Sequence, residues 1–262
     1  GWTWRLFGTY SANENTVMEL TDDLFALQLQ NTLSGRGSME ARVGQSMSAI
    51  YGTGYKRAPD GQIVYGEDGY PLLADDLIYL GDSNPKGKGS FGTEIKYKGI
   101  SLNILFDGQF GGKGYSFTNA MLMEHGKHEK TLSGRYNGII GDGVIENPDG
   151  TYRKNDVVAE EIWTYYTRHG GRENLEGSMF NTDFLKLREL TLSYSFPARI
   201  CKKIGMRKLS VGIYGRDLFM ITNWPAFDPE FGTLNNGTID KGFEIAQFPA
   251  TRNFGVKLNI EF

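Results

Sequence analysis

Asn253-Phe254-Gly255-Val256-Lys257-Leu258-Asn259-Ile260-Glu261-Phe262 closes the sequence, and its pattern decides how the rest is read. Side chains alternate across an extended strand. Phe254, Val256, Leu258, Ile260 and Phe262 therefore share one side, and Asn253, Gly255, Lys257, Asn259 and Glu261 share the other. An unbroken apolar stripe that finishes on an aromatic is rare in a soluble sheet. It is the usual form of the last strand of a membrane β-barrel, whose outward face meets lipid and whose aromatics sit at the interface.

The same alternation recurs upstream. Residues 2–12 set Trp2, Trp4, Leu6 and Tyr10 against Thr3, Arg5 and Thr9. Residues 91–110 read as two alternating runs around Lys98-Gly99, a strong hairpin signal. In residues 184–196 the apolar parity flips between Leu187 and Leu190, which predicts a β-bulge across Arg188-Glu189. Residues 208–220 give another strand, residues 41–51 alternate again with Val43, Met47, Ala49 and Tyr51 aligned, and residues 24–31 give a weaker strand. Between them lie long connections, about 52–88, 111–182 and 221–250, punctuated by Asp-Gly and Gly-Gly turns. A short helix is expected near Phe117–Glu124, and a short basic helical turn at Ala198–Gly205. About eight strands joined alternately by short turns and long loops is the asymmetry of an outer-membrane barrel.

Composition narrows the function. The 262 residues carry a formal net charge of −3, with no basic excess that would point to nucleic acid. Thirty-five glycines and 13% aromatics favour a turn-rich β-protein. The single cysteine, Cys201, excludes an internal disulfide and a cysteine metal cluster. No apolar run approaches the ~18 residues of a membrane-spanning helix, which leaves a β-barrel open. The opening Gly1-Trp2 reads as the interior of a strand in a longer precursor. No nucleophile elbow, phosphate loop or His-Glu-x-x-His motif occurs, so catalysis is not expected.

Several stretches, in order, resemble the C-terminal part of the SusC/RagA family of TonB-dependent outer-membrane transporters from Bacteroidota. They are Leu80-Gly81-Asp82-Ser83-Asn84-Pro85-Lys86, Phe106-Asp107-Gly108-Gln109-Phe110-Gly111-Gly112, and Phe184 through Tyr194. Tyr214-Gly215-Arg216-Asp217-Leu218-Phe219, Phe227-Asp228-Pro229-Glu230 and Pro249-Ala250-Thr251-Arg252-Asn253-Phe254-Gly255 follow. Asp217 departs from the family pattern, where Asn is expected. The resemblance implies that residues 1–262 are an all-β, antiparallel transmembrane β-barrel segment. It would supply about the last eight strands of a 22-stranded barrel, with the plug domain absent. It further implies a multi-pass location in the bacterial cell outer membrane, and import of glycans or peptides with TonB energy. A SusD-like surface lipoprotein would be the partner, TonB would act through the plug, and outer-membrane lipid would surround the wall. No cofactor is implied.

Candidate residues follow from these readings. Asn103, Asp107, Gln109, Tyr214 and Arg216 fall on polar parities and are expected to face a lumen. Trp163, Tyr165, Tyr166, Arg168 and Arg172, with His169 among them, combine flat faces with hydrogen-bonding edges suited to a ligand or partner. Trp224 and Phe227 offer the same in the third connection. Glu124, His125, His128 and Glu129, and separately Asp142, Glu146 and Asp149, are weak metal candidates whose spacing fits no standard site. Gly87-Lys88-Gly89-Ser90-Phe91-Gly92 spells a dinucleotide fingerprint but leads into a strand rather than a helix. Asp228-Pro229-Glu230 reads as a loop-shaping motif. The alternative to the barrel is a soluble β-sandwich that binds carbohydrate, since apolar-in and apolar-out give one pattern. Whether Phe254, Val256, Leu258 and Ile260 face outward or enter a core separates the two.

Overall fold

The computed structural model describes residues 1–21, 24–32, 35–231 and 242–262. Six long strands form one antiparallel sheet: β1 (Trp2–Ala12), β2 (Gly87–Tyr97), β3 (Ile100–Phe110), β4 (Phe184–Ser195), β5 (Lys208–Thr222) and β6 (Asn253–Glu261). Each pairs with the next in chain order, so the sheet is an up-and-down meander. At the β2–β3 turn Lys98 and Gly99 both take positive φ, 47° and 88°. A two-residue type I′ turn requires this, and Gly99 accepts it without a Cβ penalty. The β4–β5 link is short and carries helix α3 (Ala198–Lys203) in the expected basic segment. The other connections, 13–86, 111–183 and 223–252, all leave from the opposite end.

Register sorts the side chains by face. Trp4, Ile95, Leu102, Leu192, Ile213 and Val256 stand in one row across the six strands. The next row is Arg5, Glu94, Asn103, Thr191, Tyr214 and Gly255. One face is thus almost wholly apolar and the other polar. Among the described residues nothing packs against the apolar face: Trp4 is 69% exposed, Ile213 59%, Val256 72% and Leu258 60%. The sandwich alternative needs these residues in an enclosed core, and the structure removes it. The predicted bulge is present, with the register shifting between Leu187 and Glu189.

The enclosed core lies instead in the long connections. Met39, Ile50 and Leu80 from the first, Tyr115, Ala120 and Leu175 from the second, and Phe243 from the third pack into one cluster. The three connections therefore form one body at one end of the sheet. Two expectations are corrected there. The strands predicted at 24–31 and 41–51 are not wall strands. Ala26–Asn31, Gly37–Arg42, Ala49–Gly52 and Ile78–Asp82 make a separate four-stranded sheet inside the connection. Among the described residues the wall accordingly has six strands rather than about eight, and the first long connection spans 13–86 rather than 52–88. In the second connection, α1 (Phe117–Glu124) forms where expected, with the Ser116 hydroxyl accepting from the Asn119 amide at its N-cap. Part of the expected 221–250 loop, residues 232–241, lies outside the described residues.

Candidate functional site

The polar face of the wall carries a fixed ionic cluster built on the bulge. Arg188 is the residue that β4 has in excess of β3 at this point. Its guanidinium donates to Asp107 at 2.5 Å, to Asp217 at 2.9 Å and to both oxygens of Glu230 at 2.9 Å. Two residues earlier, Lys186 donates to both carboxylate oxygens of Asp228 at 2.6 and 2.7 Å, and to Glu230. Asp228 and Glu230 come from the third connection, so the segment Asp228-Pro229-Glu230 is strapped down onto the wall. The strap is tightened locally, because the Glu230 amide donates to the Asp228 carboxylate at 2.9 Å. The Lys186 side chain is 4% exposed and that of Asp228 10%. A charge so buried is tolerated only when paired and hydrogen-bonded.

The five predicted lumen residues all sit on this polar face. Asp107 belongs to the cluster. Gln109 donates to the Thr182 carbonyl at 2.9 Å, tying the wall to the loop body. The Tyr214 ring covers Gly255 of the neighbouring strand, where a Cβ would fall 2.5 Å from it. Arg216 stacks over Tyr214 at 5.3 Å and donates to Glu189 at 3.1 Å. Asn103 stands between Glu94 and Thr191 in the same row as Tyr214. Beside the strap a polar pocket of about 200 Å³ is lined by Ser83, Lys88, Gln109, Thr182 and Glu230. The strap residues are the functional candidates that sequence reasoning missed, although Lys186 and Arg188 fall on the polar side of their strand.

The loop-body candidates divide. Ile162, Tyr165, Tyr166 and His169 turn one side of α2 (Ile162–Gly170) toward the core, and Tyr165 and Tyr166 are each 7% exposed. Their rings are covered by protein, which corrects their reading as ligand contacts. Trp224 is corrected for the same reason: it is buried, stacked on Phe231 at 5.0 Å and edge-on to Phe180. Arg172 is held by a fork of bonds to Glu124, at 2.8 and 2.6 Å. Arg168 lies over Tyr70 and 3.9 Å from Asp68. Trp163 and Phe227 remain exposed. Trp163 borders a pocket of about 220 Å³ together with Met123, His125, Arg135 and Ile162.

His169 is partly buried between two tyrosines. The Tyr55 hydroxyl donates to the His169 carbonyl at 2.7 Å, so it accepts from Nδ1–H at 3.1 Å. The Tyr65 hydroxyl donates to Nε2 at 3.1 Å. Both ring nitrogens are satisfied in the neutral form, and burial pushes the imidazole down to about 4. The weak metal candidates have other work. Glu124 holds Arg172, Glu146 pairs with Lys56, Asp149 caps Thr151, and the His128 ring accepts the Lys130 amide. Among the described residues no group of three or more His, Cys, Asp or Glu is placed to hold a metal ion. Gly87 to Gly92 lie within β2.

No family model matches the chain. TonB-dependent receptor P3 of Formosa agariphila is 25% identical over 285 residues, covering 99% of this chain and 27% of that protein. TonB-dependent receptor P39 of the same organism is 24% identical over 191 residues, covering 72% of this chain and 17% of that protein. Among solved structures, a chain of the RagAB peptide importer in its closed-closed state superposes over the whole chain with a TM-score of 0.66 at 16% identity. Its open-open state gives 0.61. This chain spans 27% of that chain in each state. The resemblance to SusC/RagA-type TonB-dependent receptors is borne out, and with it the all-β fold. The chain spans about a quarter of the length of the relatives it matches most fully.

Proposed function

We propose that this chain, whose homologues are TonB-dependent receptors, is barrel wall and extracellular loop body of an outer-membrane importer. The observation that carries the reading is the division of the six-stranded meander into an exposed apolar face and a polar face with fixed charges. Aromatic pairs flank the apolar face at both ends: Trp2 on Tyr97 at 4.3 Å by the short turn, and Tyr10 on Phe110 at 6.5 Å by the loop body. The eight residue steps from Trp2 to Tyr10 cover about 27 Å along a strand. A tilt of about 40° reduces this to about 20 Å, close to the apolar band of an outer-membrane barrel. The polar face then lines the lumen, with Asn103, Asp107, Gln109, Tyr214 and Arg216 along the path.

In this reading the loop body faces outside. A SusD-like lipoprotein docks over it, and Trp163 and Phe227 offer exposed aromatic faces to substrate or partner. TonB supplies energy through a plug domain seated in the lumen. The cargo is a glycan or peptide, and the naming of the RagAB neighbours as peptide importers makes oligopeptides the first cargo to test. The test is uptake of fluorescent oligopeptides and oligosaccharides by cells with and without the gene, each with and without a protonophore. Loss of uptake of one class on deletion, matched by the protonophore, is expected. Unchanged uptake of both, or recovery of the protein in the soluble fraction without detergent, overturns the proposal.

A further inference from the structure

The geometry points to a binding site for an anionic glycerophospholipid on the apolar face of β4 and β5, with its headgroup at the short-connection end. The inference rests on the reading of that face as lipid-facing. Two apolar grooves lie there. One, of about 610 Å³, is lined by Leu190, Leu192, Ile213, Leu218, Phe254 and Val256. The other, of about 410 Å³, is lined by Ile100, Leu192, Tyr194, Val211 and Ile213. They share Leu192 and Ile213 and so form one trough along the strands. In the row Ile104–Leu190–Gly215–Phe254 the Leu218 side chain folds over the glycine, where a Cβ would fall 2.7 Å from it, and Leu218 forms part of the groove wall. An open apolar trough parallel to the strands suits a linear acyl chain better than a compact ligand.

Charge fixes the other end of the occupant. The trough runs to Ile100 and Tyr194, beside the Lys98-Gly99 turn and the lead into α3. Residues 199–208 there hold five cations, Arg199, Lys202, Lys203, Arg207 and Lys208, and no carboxylate. Among the described residues Lys208 pairs with Glu261 at 2.8 Å, whereas Arg199, Lys202, Lys203 and Arg207 have no carboxylate partner. Ile200 and Ile204, four residues apart, are exposed beside these cations, while Cys201 is buried. An exposed apolar pair next to unpaired cations is the pattern of a segment lying at the boundary of headgroups and acyl chains. Such cations attract lipids of net negative charge. The trough ends at Tyr194 and Val211, and the cationic segment 199–208 lies between them in the chain, so one lipid molecule satisfies both.

The test is native mass spectrometry of the detergent-extracted protein titrated with phosphatidylglycerol and with phosphatidylcholine. The expected result is a retained phosphatidylglycerol, preferred by about tenfold or more given several nearby cations. The exposed triple variant Arg199→Gln, Lys202→Gln, Lys203→Gln should lose that preference. Ile213→Trp, which fills the trough, should lower retention of both lipids. Equal binding of the two lipids by the wild-type protein, or an unchanged preference in the triple variant, overturns the site. Heat-modifiable migration of each variant separates the two readings. A protein that shifts on heating but shows no preference fails only the lipid site, and one that never shifts fails the membrane reading and the site with it.

Discussion

Arg188 and Asp217 meet at 2.9 Å across two consecutive bulges of the wall. Arg188 is the excess residue of β4 over β3, and Asp217 stands in the excess step of β5 over β4, with φ of +52°. Two adjacent strands thus each gain a residue at the same height. The gain turns both side chains toward the polar face, where the strap from the third connection meets them. Bulges are devices for re-aiming a side chain where a sheet does its work. Here they gather Asp107, Arg188, Asp217 and Glu230 at one point of the polar face.

Lys186 is the buried anchor of the strap. Lys186→Met should leave Asp228 buried beside an apolar side chain and cost about 3–5 kcal/mol, the usual penalty for stripping one partner from a buried pair. Adding Asp228→Leu should restore much of it, because both charges are then gone. The check is the temperature at which the heat-modifiable form is lost, with protease cleavage between residues 223 and 231 as a second readout. A single variant that costs under about 1 kcal/mol would show that the strap does not depend on this pair.

Asp217 should tolerate Asn but not Val. Asn and Asp enter the left-handed region more readily than other side chains, so Asp217→Asn keeps the bulge and loses only a part-exposed ion pair, below about 1 kcal/mol. Asp217→Val adds about 1–2 kcal/mol of backbone strain. This also gives a physical sense to the departure from Asn: either residue makes the bulge, and Asp adds the bond to Arg188. Equal stability of the two variants by thermal melting would refute it.

Much of the wall was legible because period two is read directly from residues such as Phe254 to Phe262. Even the bulge showed, as the parity flip between Leu187 and Leu190. The partners of Arg188 did not, since Asp107 and Glu230 lie 81 and 42 residues away and nothing local links them. The strands expected at 24–31 and 41–51 belong to the loop body, which sequence does not reveal because a sheet there alternates as a wall strand does. Gly37–Arg42 shows why this is silent in sequence: Gly37, Met39 and Ala41 alternate with Ser38, Glu40 and Arg42, yet both parities are buried up to Ala41. Tyr165 and Tyr166 were legible too. Ile162, Tyr165, Tyr166 and His169 fall at i, i+3, i+4 and i+7, the pattern of one buried helix face.

His169 makes the loop body pH-sensitive on the acid side. Its folded pKa of about 4 lies below the unfolded value near 6.5. A histidine depressed in this way gives its full stabilisation above pH 6.5, and loses it as pH falls toward 4, on the order of 3 kcal/mol. Protonation would also force a donor against the Tyr65 hydroxyl at Nε2. The amide protection factors of residues 162–170, that is exchange rates corrected for their intrinsic pH dependence, should therefore fall between pH 6 and 4, and His169→Gln should flatten that fall. Protection factors that stay constant across the window contradict the assignment of His169 as a neutral, partly buried ring.

The faces of β6 can be tested one residue apart. Leu258 stands opposite Val211 on the apolar side and Lys257 opposite Gly212 on the polar side. Native Cys201 is buried and gives little background to thiol labelling. In outer-membrane vesicles Lys257→Cys should react with a water-soluble maleimide, because in the proposed barrel the polar face opens on a hydrated lumen. Leu258→Cys should resist that reagent and react with a lipid-soluble one, because lipid covers its side of the strand. A soluble sandwich would bury Leu258 from both reagents. Labelling of Leu258→Cys by the water-soluble reagent at the rate of Lys257→Cys would mean that neither lipid nor protein covers the apolar face.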